Sequence, residues 1–75
     1  MSKKELKQKF LTKMELFYRN FGNEWTLDDF VKNQSQKEYL QKFLIELDEK
    51  KIISLNEDGK SFVILDLPSN YDLSN

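Results

Sequence analysis

The spacing of apolar residues changes once along this chain, after Lys50-Lys51, and that change restricts what it can fold into. Before it, apolar residues recur at the three-to-four-residue interval of a helix. After it, residues 52–55 and 61–65 form two short runs rich in β-branched and aromatic side chains, joined by Asn56-Glu57-Asp58-Gly59. Asn, Asp and Gly tolerate the backbone conformations of a tight turn, so the two runs are expected to pair as a hairpin. Helices followed by a hairpin imply a small α+β domain.

The helical part carries its own start and stop signals. Ser2 and Glu5 have the spacing of a capping box, with Met1 and Leu6 placed as its hydrophobic staple. Leu6, Phe10, Met14, Phe17 and Phe21 then form one stripe, widened by Leu11 and Tyr18, and Gly22 supplies a stop. These signals predict a first helix over about 3–20. In Glu24-Trp25-Thr26-Leu27-Asp28-Asp29-Phe30, Thr26 is a helix cap with Asp29 as a compact box. Trp25 and Phe30 occupy the staple positions, which predicts a short second helix over about 27–33. Ser35-Gln36-Lys37-Glu38 is another box, and Leu40, Phe43, Leu44 and Leu47 line one face of a third helix over about 36–50. Leu67-Pro68 ends the last strand. Residues 1–68 therefore read as one domain and 69–75 as a loose tail. Tyr71 and Leu73 give that tail enough apolar character to cover a patch such as one around Ile45.

Composition removes several function classes. At 75 residues and 39 % apolar, with six Phe, three Tyr and one Trp, the chain suits one compact core. With neither Cys nor His there is no disulfide framework and no Cys/His metal site, so a reducing, cytoplasmic location is expected. No apolar run approaches the roughly 20 residues that span a bilayer, and no signal-peptide run follows Lys3-Lys4-Glu5. Only Gly22 and Gly59 occur, too few for a glycine-rich phosphate cradle. No enzymatic activity, cofactor or small-molecule substrate is expected. The acid pairs Asp28-Asp29, Asp48-Glu49 and Glu57-Asp58 suit a cap, a helix surface and a turn. Asn56, Asp58 and Gly59 partly mimic a calcium loop, but Ser54 and Leu65 stand at its first and twelfth positions, where ligands are needed.

The order helix, short helix, turn, longer helix, hairpin resembles the winged-helix variety of helix-turn-helix domain over about residues 3–67. "EWTLDDF" resembles its short strand and second helix, "NQSQKEYLQKFLIELDEKK" its turn and recognition helix, and "IISLNEDGKSFVIL" its wing. The resemblance implies three helices followed by a two-stranded wing. It further implies either double-stranded DNA or a protein as the partner.

Charge bears on that choice. Net charge is −1, yet Lys3, Lys4, Lys7, Lys9, Lys13 and Arg19 crowd the first segment and the remainder is acidic. On the third helix, the face opposite the core carries Ser35, Glu38, Lys42, Ile45 and Glu49, flanked by Gln41 and Glu46. Groups able to meet DNA are Ser35, Gln36, Lys37, Gln41 and Lys42, with Lys60 on the wing. Lys3, Lys4 and Lys7 are candidate phosphate contacts at the chain start. Glu46, Asp48, Glu49, Glu57 and Asp58 oppose a phosphate backbone, and a solvated polar face is the simpler account of Lys37, Gln41 and Lys42. Ile45 is expected to be covered by the wing or tail. Two functions follow: a DNA-binding regulator, needing a homodimer for enough phosphate contacts, or an adaptor or inhibitor using Ile45, Glu46, Glu49, Glu57 and Asp58 against a protein.

Overall fold

The computed structural model describes residues 2–71. Helix α1 (Lys3–Phe21) leads to strand β1 (Glu24–Thr26), a single 3-10 turn (Leu27–Asp29) and helix α2 (Gln34–Glu49). Strands β2 (Ile53–Leu55) and β3 (Ser61–Ile64) follow, then a second 3-10 turn (Pro68–Asn70). The strands form one antiparallel sheet in the order β1-β3-β2. Glu24 stands opposite Val63 and Thr26 opposite Ser61, while Ile53 faces Ile64 and Leu55 faces Phe62. The protein is thus α+β, with two helices and a three-stranded sheet, and the strand anticipated near Trp25 is present.

Local chemistry explains the boundaries. Ser2 Oγ accepts the Glu5 N–H at 3.1 Å, and α1 stops where Gly22 takes φ 114°. The Met1 half of the anticipated staple lies outside the described residues. The second helix expected over 27–33 is a correction: it is only the turn Leu27–Asp29. Asp29 Oδ2 accepts the Thr26 N–H at 2.9 Å, so the compact box forms, and Leu27 and Phe30 are both buried. Asn33 prevents continuation. Its side chain accepts the Gln36 N–H at 3.1 Å as the cap of α2, which holds its own backbone extended at ψ 127°. The box expected at Ser35–Glu38 is therefore corrected to an Asn33 cap, and α2 begins two residues before its anticipated start.

At the other end of α2, the Ile52 N–H reaches the Leu47 carbonyl at 3.0 Å and the Lys51 N–H reaches Asp48 at 3.0 Å. This Schellman closure needs a left-handed residue, and Lys51 takes it at φ 62° in place of the usual glycine. The turn aims buried Ile52 back at the core and starts the hairpin.

The core lies between the helices and one face of the sheet. Met14, Leu40, Phe43, Leu44, Leu47, Ile53, Phe62 and Ile64 are almost completely buried. Phe30 joins the layers: its ring lies 5.4 Å from Phe10, 5.0 Å from Phe17, and 6.0 Å from both Trp25 and Phe62, centroid to centroid. The segment after β3, read from sequence as loose from Ser69, is docked as far as Tyr71. Pro68 is buried, Ser69 N–H donates to Glu15 Oε1 at 3.1 Å, and Tyr71 packs edge-on against Phe43 at 5.2 Å. Residues 72–75, including Leu73, lie outside the described residues. Among the described residues, no helix is long and apolar enough to cross a membrane.

Two substitutions test this packing by urea denaturation. Phe30→Ala removes the ring that joins helices to sheet and is expected to cost about 3–5 kcal/mol, a large share of a small domain's stability. Lys51→Gly relieves a left-handed side chain and is expected to add about 0.5–1 kcal/mol. A loss of stability in Lys51→Gly would show that the lysine's packing outweighs its backbone strain.

Candidate nucleic-acid interface

The helix cap that shortens the second helix also sets the geometry of the exposed face. With Asn33 as cap, Gln34 and Ser35 occupy the first turn of α2 and are exposed, next to helix-end N–H groups that favour an anion. Further along, Ser35, Glu38, Tyr39, Gln41, Lys42 and Ile45 line an open groove on the side of α2 away from the core. Gln41 connects this face to the wing, since a Cβ built on Gly59 would sit 3.1 Å from Gln41 Nε2. Gly59 also takes φ 72°. A side chain there would be strained by the positive φ and would push the end of the Gln41 side chain aside by a few tenths of an ångström, so the turn conformation is what favours glycine.

The wing turn is built around Asp58. Its Oδ1 accepts the backbone N–H of Lys60 and of Ser61, both at 2.9 Å, and its Oδ2 accepts the Ser61 hydroxyl at 2.8 Å. These bonds hold its carboxyl below the ordinary range, the Ser61 N–H contributing most and the Lys60 N–H next. Asp58 is therefore a turn-forming residue. Its neighbour Glu57 is exposed at the tip.

Asp28, shortly before α2, pairs with one lysine and feels the charge of two more. Lys37 on the helix forms an ion pair with Asp28 on the 3-10 turn. Lys32 follows on the same connection, and the Lys60 carbonyl on the wing accepts the Leu27 N–H at 2.9 Å, next in sequence to Asp28. The Asp28 carboxyl is held down chiefly by its hydrogen bond to Lys37, then by the charge of Lys37, with Lys32 and Lys60 adding to it. Lys32 escapes sequence reasoning because a helix over 27–33 would bury it in a regular surface. Asp28 escapes because a capping role accounts for it.

Other anticipated residues are placed differently. Gln36 is not on the exposed face: it lines a crevice with Leu6, Lys9, Phe10, Lys13, Phe30 and Val31 on the side toward α1. The one-residue rotation of a helix, about 100°, separates it from Ser35. Lys7 is held within the fold, 3.7 Å from Glu46 and 4.9 Å above the Phe43 ring. Lys3 lies 5.3 Å above Tyr39, and Lys4 is exposed. Glu46 accepts the Tyr71 hydroxyl at 2.9 Å as well as pairing with Lys7. Asp48 Oδ1 accepts the Leu55 N–H at 3.1 Å, closing an outward-facing donor of β2. Glu49 is exposed. Ile45, expected to be covered by the wing or tail, is 49 % exposed, because Tyr71 turns instead toward Phe43 and Glu46.

No known protein family, curated protein or solved structure matches the chain.

The carboxyl environments lead to a pH dependence. Asp28, Asp58 and Glu15 all have native pKa values lowered from their ordinary ones, Glu15 mainly by Ser69. A group whose pKa is depressed by folding stabilises the native state above the unfolded pKa, about 4 for these side chains, and loses that contribution as pH falls through the native value. The thermal midpoint is thus expected to fall as pH drops below about 4. Asp58→Asn should lower the midpoint at neutral pH and narrow its distance from the wild type in acid. A gap that stays constant with pH would remove the Asp58 carboxylate from this account.

Proposed function

We propose that this protein is a small winged-helix DNA-binding protein acting as a transcriptional regulator. The element order supports the winged-helix reading once the middle helix is allowed to shrink to the single turn Leu27–Asp29, with α2 as recognition helix and β2–β3 as wing. The observation that carries the function is the Lys37–Asp28 pair beside the start of α2, where the charges of Lys32 and Lys60 also act. Lysines from the connection, the helix and the wing there suit a phosphate backbone running between helix and wing. Gln34, Ser35, Gln41 and Lys42 are the outward groups of α2 equipped to hydrogen-bond base edges.

The count of acids weakens as a counterargument when their positions are known. Asp58 and Asp48 are turned onto backbone N–H groups, and Glu46 is held by Lys7 and Tyr71. Glu38, Glu49 and Glu57 remain outward and keep the affinity modest. A single module of this size makes few phosphate contacts, so the regulator works as a homodimer in a compartment that holds DNA. A protein-binding adaptor or inhibitor is the second reading, favoured by the exposure of Ile45 within the groove that Tyr39 and Lys42 also line.

A salt titration of binding to a short random-sequence duplex separates the two. A dissociation constant of about 10⁻⁴–10⁻⁶ M, weakening steeply with salt, is expected for nonspecific binding. Replacing Lys42 and Lys60 together by Ala should flatten the log–log salt dependence by about two. Absence of binding at low salt would overturn the DNA reading and leave the Ile45 groove as the working surface.

A further inference from the structure

We infer that Asp28 is an internal stand-in for a DNA phosphate, occupying the lysine cluster of the free protein and lowering its affinity for nonspecific DNA. The inference rests on the DNA-binding reading above and names a residue that regulates the same surface. Asp28 pairs directly with Lys37, on the first half of α2. It lies one residue from Leu27, whose N–H is bonded to the Lys60 carbonyl, and Lys32 stands four residues further along the same connection. A carboxylate thus sits on the cation of the helix, beside the backbone contact that brings the wing to the connection, and a phosphate oxygen would need that same cation. Lys32 and Lys60 both act on its ionisation, placing them within electrostatic reach.

The cap does not require this carboxylate. The Thr26 N–H is accepted by Asp29, and Asp28 is 60 % exposed in its side chain. Its one close partner is the cation that a phosphate would also seek. A phosphate docking on α2 must displace Asp28 from Lys37 or share the site with it, and like charges at close range oppose sharing. Every duplex meets this opposition alike, so Asp28 lowers affinity across sequences without changing the ratio between them.

The test is a salt titration of wild type, Asp28→Asn and Asp28→Ser on the random-sequence duplex, with Glu49→Gln as a control of equal charge change at the far end of α2. Asp28→Asn and Asp28→Ser are both expected to bind about tenfold more tightly at low salt. Their log–log salt dependence should steepen by about one as Lys37 becomes available. The advantage should vanish at high salt, and Glu49→Gln should gain much less. If wild type binds and neither Asp28 variant gains, or Glu49→Gln gains equally, the inference falls while DNA binding stands. If none of the four proteins binds at low salt, the DNA reading falls and this inference falls with it.

Discussion

The Phe30 ring is the contact on which the rest of the arrangement depends. It touches Phe10 and Phe17 from α1, Trp25 from β1 and Phe62 from β3, and it belongs to the short connection between β1 and α2. Buried aromatic rings contribute large apolar areas and prefer tilted or edge-on neighbours, so a ring held on several sides has little freedom. Because Phe30 is fixed, the turn before it is fixed, and with it Asp28. Because Asn33 follows closely and caps α2, the first turn of that helix is placed as well. The lysine cluster is a surface consequence of an aromatic core.

The acids show why a charge count is a weak guide to a surface. By composition, residues after the first helix are acidic enough to argue against a polyanion as partner. In the folded chain, acids of the same type serve different ends. Asp58 closes the wing turn, Asp48 closes the edge of β2, Asp29 caps a turn, and Glu15 holds Ser69. Hydrogen bonds to backbone N–H groups keep such carboxylates ionised but fix where they point. The outward acids that a ligand meets include Glu38, Glu49 and Glu57, beside Lys32, Lys37, Lys42 and Lys60.

Much of the architecture was legible because it follows from local rules. The stripe from Leu6 to Phe17, the stop at Gly22 and the turn at 56–59 each depend on neighbours a few residues away and form as anticipated, whereas Phe21, at the end of the stripe, is 73 % exposed. The second helix and the start of the third were misread for one shared reason. Asn33 could end one helix or begin the next, and Ser35 offered a competing cap; only the burial of Phe30 and the path of the chain decide between them. Gln36, named as a DNA-contacting candidate by its residue type, lies toward α1, a position that the type does not reveal. Ile45 was expected to be covered, but Tyr71 found a better partner in the Phe43 ring and the Glu46 carboxylate.

By itself the sequence determined the two long helices, the hairpin, their order, and the tight turn at 56–59. Those depend on apolar period, capping side chains and positive-φ residues, which act over a few positions. Only the tertiary structure decided which charges meet. Asp28, Lys32, Lys37 and Lys60 belong to three separate elements, and electrostatic interactions act through space, not along the chain. Packing around Phe30 brings those elements together, and no local pattern in the sequence contains that distance.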